Sequence, residues 1–220
     1  MSDKVTERYN LRYSKTKAAF GEEPDEIIVN YFHLINNAAP ILDVGAGQGR
    51  NCLYLAEKGF GVEALDPSKI GLKQIETIAE KESLPVFMTL GDLATFEKKC
   101  DYYSAVLLCG IIQILKQEQV DKLMTDLKDW TAEGSIIFVT AFSTNEPSFE
   151  KHKKDDKELS PNCFEDSEGF IRHYLEENEI LNLFDGYEVI HHREYLTEPH
   201  HHGDGNMHQH AKVEAVFKVL

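Results

Sequence analysis

The stretch ILDVGAGQGRN at residues 41–51 constrains the fold more than any other part of this chain. A short apolar run predicts a strand at 41–44, and a helical pattern follows from Asn51. Between them stand three glycines at alternate positions, which allow backbone angles and a close ligand approach that a Cβ atom would block. A strand, a glycine turn and a helix in this order predict an α/β fold with a ligand site where the strand ends.

Short apolar runs alternate with amphipathic stretches from residue 41 to residue 142. Helices between successive strands indicate right-handed crossovers and therefore a parallel sheet. Ser68 is the predicted N-cap of a helix that runs to Glu82. The predicted strands cover 41–44, 60–65, 85–90, 102–109 and 135–142, and the other predicted helices cover 51–58 and 117–130.

The pattern changes after residue 142. Residues 143–167 are polar and predict an insertion or lid with more loop than packed structure, and 168–183 predict a helix. Residues 187–196 and 212–220 predict two strands of an antiparallel hairpin. We therefore predict a single-domain, Rossmann-like doubly wound sheet, mostly parallel with an antiparallel C-terminal edge hairpin. Within the domain 1–220 the predicted parts are an N-terminal cap (1–39), a cofactor-binding core (40–142), the insertion (143–167) and a helix with the hairpin (168–220).

Charge and composition exclude several classes of partner. The net charge of −15 argues against nucleic acid, because a phosphate backbone requires clustered cations. No apolar run is long enough to predict a membrane span. The four cysteines form no C-x-x-C pair, and the N-terminus shows no apolar signal core, so we expect a reducing, cytoplasmic location.

The spacing of the glycine turn distinguishes among cofactors. A dinucleotide fingerprint needs a third glycine where this chain has Arg50, and no P-loop motif is present. The observed D-x-G-x-G-x-G, which begins at Asp43, resembles motif I of the class I S-adenosylmethionine-dependent methyltransferases. That resemblance implies S-adenosylmethionine as cofactor and S-adenosylhomocysteine as product. It also implies that Asp43, Gly45 and Gly47 hold the amino-acid end of the cofactor.

Further acids end the next two predicted strands. By the same resemblance, Asp66 accepts the ribose hydroxyls and Asp92 meets the adenine amino group, although strand-end aspartates also commonly cap helices. Leu93 supplies a backbone contact, and Cys109 lines the cofactor beneath the sulfonium. The residues expected to bind the cofactor are Tyr13, Asp43, Gly45, Ala46, Gly47, Arg50, Asn51, Asp66, Pro67, Asp92, Leu93 and Cys109.

A closer resemblance rests on the segment ILDVGAGQGRNCLYLAEKGFGVEALDPS and on Arg12-Tyr13, Phe20-Gly21 and Pro24 near the N-terminus. These features are similar to the tellurite-resistance-type branch of these methyltransferases. The resemblance implies a small-molecule acceptor and a loop before the last strand that carries a histidine toward the methyl group. That branch has arginines where this chain has histidines.

The matching loop, PHHHGDGNMHQH at 199–210, holds five histidines. It is compatible with a solvated hairpin turn, with substrate handling, or with a metal site built from His208, His210 and either His200 or His202. We assign substrate handling to His200 and His201, with Arg12 as a further catalytic residue, and we assign no metal ligand. Near neutral pH, imidazole is suited to take up the proton that a protonated methyl acceptor must lose.

The predicted function is methyl transfer from S-adenosylmethionine to a small nucleophile, such as tellurite, selenite, a thiol or a small metabolite. Because the sulfonium is already electrophilic, the protein mainly supplies positioning. We expect a small-molecule substrate, no nucleic-acid or membrane partner, and a monomer or homodimer. The alternative is a metal-binding or sensing protein that uses the histidine-rich loop on a methyltransferase scaffold.

Overall fold

A seven-stranded sheet with helices on both faces forms the centre of the molecule. The computed structural model describes residues 3–97, 99–200 and 207–220. Its strands are β1 Ile41–Val44, β2 Val62–Asp66, β3 Val86–Leu90, β4 Tyr103–Cys109, β5 Thr131–Phe142, β6 Lys157–Ser160, β7 Cys163–Glu165, β8 Ile171–His173, β9 Glu188–Leu196 and β10 Ala211–Lys218. Its helices are α1 Asp3–Lys15, α2 Glu26–Tyr31, α3 Arg50–Glu57, α4 Lys69–Glu82, α5 Gln117–Trp130, α6 Phe149–Asp155 and α7 Glu179–Leu183, with 3₁₀ turns at Phe32–Leu34 and Ile112–Ile114.

The large sheet has the strand order β3-β2-β1-β4-β5-β10-β9. Strands β1 to β5 are parallel, whereas β10 is antiparallel to both β5 and β9. The structure thus confirms the predicted doubly wound sheet with an antiparallel hairpin at its C-terminal edge. The carboxyl ends of β1, β2 and β3 lie at one edge, next to each other, which is where such sheets bind ligands.

The helix α4 shows how local sequence sets this arrangement. Its predicted N-cap, Ser68, accepts a hydrogen bond from the backbone N–H of Gly71 at 3.1 Å. The sequence predicts an apolar stripe on this helix from Ile70, Leu72, Ile75, Ile78 and Ala79, and the buried stripe is narrower. Leu72, Ile75 and Ala79 are buried, but Ile70 and Ile78 are each 38% exposed. The core contact is therefore made by one residue per turn over most of the helix.

The segment after β5 differs from the prediction. Residues 143–167 contain α6, β6 and β7, and only the end of the helix predicted at 168–183 is helical, as α7. The first half of that predicted helix is instead β8, which completes an antiparallel sheet of order β6-β7-β8. Phe149, Phe164 and Tyr174 form a small apolar core under this sheet. These contacts between distant segments outweigh the helical pattern, and the segment packs as a second, smaller layer.

The second sheet contacts the N-terminal helix. Arg8 of α1 forms an ion pair with Glu168, and the ring of Tyr9 meets that of Phe170 edge-on at 5.8 Å. Tyr13, near the end of α1, is only 5% exposed. The turn between β7 and β8 therefore packs against helix α1. No helix in the described ranges combines the length and the apolar character needed to cross a membrane.

The start of α4 presses directly on the glycine turn. A Cβ atom at Gly71 would clash with the carbonyl oxygen of Gly47, whereas one at Gly61 would meet open space. We expect Gly71→Ala to lower the free energy of unfolding by about 1–3 kcal/mol, because backbone must move to admit the methyl group. Gly61→Ala is the matched control, with an expected change below about 1 kcal/mol. Urea denaturation measures both, and equal values would contradict the close packing of α4 on the turn.

Candidate active site

The glycine turn after β1 adopts a conformation that L side chains rarely take. Gly45, Gly47 and Gly49 have φ angles of 70°, 57° and 93°. The N–H of Gly45 donates to the carbonyl of Leu65 at 2.7 Å, which fixes the turn to the end of β2. A Cβ atom at Gly45 would also clash with Ile111. The positive φ angle therefore favours glycine at this position, and the end of the Ile111 side chain would have to move to admit a Cβ atom.

Asp66, at the end of β2, is the acid that joins the turn to α4. One carboxylate oxygen accepts the N–H of Gly47 at 2.8 Å, and the other accepts the N–H of Ser68 at 2.7 Å. The residue is 5% exposed, and burial raises its pKa. Each carboxylate oxygen has a second lone pair, so these two bonds leave acceptor capacity for a ligand hydroxyl.

Tyr13 covers this part of the turn. Its hydroxyl oxygen would lie 3.2 Å from a Cβ atom at Gly47, and its ring also borders Gly71. Its backbone carbonyl accepts a hydrogen bond from Gln74 of α4 at 3.0 Å. Tyr13, Gly47 and Asp66, three of the residues expected to bind the cofactor, therefore lie next to one another.

A buried charge network lies beside the turn. Arg50 forms an ion pair with Asp25 at 2.6 Å, and Lys212 approaches the same carboxylate at 3.4 Å. Asn51 donates to Asp25 at 3.1 Å and accepts its backbone N–H at 2.9 Å. Burial raises the pKa of Asp25, but the two cations and the Asn51 amide bring it below its ordinary value. The side chains of Arg50 and Asn51 are therefore used to hold α2 and β10 against α3.

Asp43 lies within β1 and is 3% exposed. Burial raises the pKa of its carboxyl to about 8, although the nearby Arg50 opposes this shift. A positive charge placed at the turn would favour the ionised form of Asp43 and lower that pKa. The site therefore has an acid whose charge state responds to a cationic ligand.

The remaining expected cofactor residues lie at neighbouring strand ends. Asp92 follows β3, where one of its oxygens accepts the N–H groups of Ala94 and Thr95 at 3.0 and 3.2 Å. These bonds close a turn at residues 92–95, and no helix follows it up to residue 97, so Asp92 is not the helix cap of the alternative interpretation. Leu93 packs against the core, Cys109 ends β4 and is partly buried, and Pro67 and Ala46 flank the Asp66 turn.

Arg12 lies on the outer surface of α1. Its guanidinium stacks over the ring of Phe20, with 4.4 Å to the centroid, and donates to the carbonyl of Ala19 at 3.4 Å. The side chain is thus engaged with the segment that connects α1 to α2.

Three histidines meet where the hairpin loop enters β10. His200 and His208 exchange two backbone hydrogen bonds of 2.9 and 2.8 Å, and His210 is two residues further on the same strand face. One ring nitrogen from each of the three lies within 4.8 Å of the others. His201 and His202 lie outside the described residues. The structure thus brings together the three histidines from which one of the open interpretations builds a metal site.

This histidine cluster lies at the same edge of the sheet as the glycine turn. Because β10 is antiparallel to β5, its first residues pair with the carboxyl end of β5, as Lys212 does with Phe142. Lys212 then reaches Asp25, the partner of Arg50. Asp25 and Lys212 were not predicted from the sequence, because their ion-pair partners are remote along the chain.

Comparison with known proteins places these features in a family. A family model described as tellurite resistance protein TehB matches residues 12–213. The chain is 29% identical over 109 residues to a probable S-adenosyl-L-methionine-dependent methyltransferase TehB of Haemophilus influenzae, which is 48% of this chain and 37% of that protein. It is 34% identical over 127 residues to (S)-tetrahydroprotoberberine N-methyltransferase of Eschscholzia californica, which is 56% of this chain and 35% of that protein. The chain therefore matches little more than a third of the length of these curated relatives.

Among solved structures, a S-adenosylmethionine-dependent methyltransferase from Methanosarcina mazei superposes with a TM-score of 0.71. The match covers 90% of this chain and 99% of that chain at 19% identity, so it shows a shared fold. The family model covers nearly the whole chain and confirms the resemblance that motif I and its flanks predicted. The chain belongs to the TehB family of tellurite resistance proteins, within the class I S-adenosylmethionine-dependent methyltransferase fold.

Proposed function

We propose that this chain is an enzyme that transfers a methyl group from S-adenosylmethionine to a small nucleophile. The observation that carries the proposal is the position of Asp66. In a chain of this family, it lies against the Gly47 N–H and beneath Tyr13, at the carboxyl edge of a parallel sheet. A buried carboxylate with spare lone pairs beside a glycine turn suits a nucleoside with two ribose hydroxyls.

Asp43 and Asp92 complete the proposed cofactor site. The ammonium of the methionine moiety would bind near Gly45 and Gly47, where it would stabilise the ionised form of Asp43. Asp92, which follows β3 at the same edge of the sheet, would accept a hydrogen bond from the adenine amino group. Cys109, at the end of β4, would border the sulfonium.

The proposed acceptor is a chalcogen oxyanion, a thiol or a small metabolite. One relative is named for tellurite resistance and another for N-methylation, so the acceptor class differs within the set of similar proteins. The histidines at the edge of the sheet supply donors for an anion or a base for a protonated acceptor. His200 and His201 are our proposed catalytic residues in this loop, with Arg12 as a further one on α1.

The proposed setting is cytoplasmic, with the chain as a monomer or homodimer. All four cysteines are free, which supports a reducing environment. The net charge of −15 supports a small-molecule substrate over nucleic acid.

Cofactor binding gives the first test. We expect Asp66→Ala to weaken S-adenosylhomocysteine binding by more than about 1.5 kcal/mol, the scale of lost hydrogen bonds to a charged group. Isothermal titration calorimetry measures this affinity, and Asp185→Ala, at an exposed acid, is the control. Circular dichroism of the variant checks that the fold survives the loss of the Gly47 and Ser68 bonds. Unchanged affinity in a folded Asp66→Ala variant would refute the proposed ribose contact.

Turnover gives the second test. We expect His200→Ala or His201→Ala to lower methyl transfer by on the order of 100-fold, the usual contribution of a proton-transfer group, while cofactor affinity stays nearly constant. His33→Ala, at an exposed histidine of the 3₁₀ turn, should leave the rate unchanged. Equal rates in all three variants would indicate a solvated hairpin loop instead.

The acceptor itself is found by direct assay. The chain is incubated with S-adenosylmethionine and separately with selenite, tellurite, thiols, amines and small acids, and methylated products are detected by mass spectrometry. We expect a product from one of these small nucleophiles. Metal binding with no cofactor binding would instead favour the alternative of a metal-binding protein on this scaffold.

A further inference from the structure

We infer that His200, His208 and His210 form a binding site for a divalent transition-metal ion. This goes beyond the proposed function, because methyl transfer from a sulfonium does not itself require a metal. The proton-accepting role proposed for His200 applies to the chain without the ion, since the same lone pair cannot serve both. The inference rests on three features. These are the distances among the ring nitrogens of the three histidines, the acceptors beside the Nδ1 atoms of two of them, and the elements that hold the rings in place.

The ring nitrogens are close enough to share one ion. One nitrogen from each ring lies within 4.8 Å of the other two. Ligand nitrogens at about 2.0–2.1 Å from a tetrahedral zinc ion are a little more than 3 Å apart, so rotamer adjustment of the three side chains would close the site. Hairpin register explains the convergence, since His200 and His208 are paired across the two strands and His210 follows on the same face.

Acceptors beside the Nδ1 atoms of two of the rings favour the tautomer that leaves Nε2 for a metal ion. His210 Nδ1 lies 3.0 Å from a carboxylate oxygen of Glu146, and His200 Nδ1 lies 2.9 Å from the carbonyl of Glu198. A carbonyl or an ionised carboxylate can only accept, so both Nδ1 atoms carry hydrogen, and Nε2 carries the lone pair that can bind a metal ion. A carboxylate behind a ligating histidine is a recurrent arrangement in zinc sites.

Glu146 is itself fixed in place. It is 7% exposed, and its second oxygen accepts the backbone N–H of Ala211 at 2.7 Å. The ring of His210 stacks on Phe142 with 4.6 Å between centroids and 20° between planes. The position and plane of His210 are therefore set by β5, the following segment and β10 together, which favours a preorganised ligand.

The donor set indicates the class of ion. Neutral imidazole nitrogens suit zinc, nickel, cobalt and copper, whereas magnesium and calcium prefer oxygen ligands. A groove of about 530 Å³ borders the cluster and is lined in part by Pro199, Met207 and His208. An ion bound there would be reached from this groove.

Metal titration tests the inference on the full chain, prepared without an affinity tag and freed of metal with a chelator. We expect one equivalent of Zn²⁺ to bind in competition with a chromophoric chelator. His208→Ala and His210→Ala should each weaken binding by about 100-fold or more, whereas His33→Ala should bind as the wild type does. Co²⁺ should give an absorption spectrum of nitrogen coordination that both cluster variants lose.

Glu146→Gln tests the contribution of the carboxylate beside His210 to metal binding. Removing a carboxylate behind a ligating histidine typically weakens metal affinity by about 10–100-fold, so we expect a loss in this range with all three histidines intact.

Two results would overturn the inference: no stoichiometric Zn²⁺ binding by the wild type, or binding that survives both His208→Ala and His210→Ala. S-adenosylhomocysteine calorimetry on the same samples keeps the two proposals apart. Zinc binding without cofactor binding would refute the proposed function and leave the metal site standing. Cofactor binding without zinc binding would do the reverse.

Discussion

The hydrogen bonds of the Asp66 carboxylate hold the ligand-binding edge of this fold together. Its two oxygens join the glycine turn after β1 to the first turn of α4, and β2 carries the residue itself. Because Asp66 is only 5% exposed, leaving either partner N–H unpaired would be costly, so these bonds tie the three segments together. The left-handed backbone at Gly47, the contact of Gly71 with its carbonyl and the cover supplied by Tyr13 all depend on this junction.

Two positively charged side chains lie beside the glycine turn, although the chain as a whole is strongly negative. The net charge is −15, yet Arg50 and Lys212 converge on one buried acid, Asp25. Both cations are paired with Asp25. Burial therefore outweighs the effect of Arg50 on Asp43, and the pKa of Asp43 is raised to about 8. A buried acid with a raised pKa is costly to ionise alone and is relieved by a cation. The electrostatics at the turn therefore favour a positively charged ligand group, as the methionine ammonium is.

Periodicity made the parallel core predictable, since β1 to β5 and α3 to α5 bury regular apolar faces and end in turn residues. The second sheet was not predictable in this way, because its strands are only three or four residues long and its small core joins Phe149, Phe164 and Tyr174. That His208 and His210 lie on one face was predictable, because side chains alternate between the two faces of a strand. Glu146, which orients His210 from 64 positions away, carried no signal in the sequence.

The insertion, the N-terminal helix and the histidine hairpin contact one another. These contacts bear on which methyl acceptor the chain would select. Glu146 binds both His210 and the first N–H of β10. The same segment continues into the second sheet, whose Glu168 and Phe170 contact α1 above Asp66. The hairpin is therefore connected through packed elements to α1, which covers the proposed cofactor site. Divergence of acceptor within the family is then expected in these linked segments, while the Asp66 junction stays fixed.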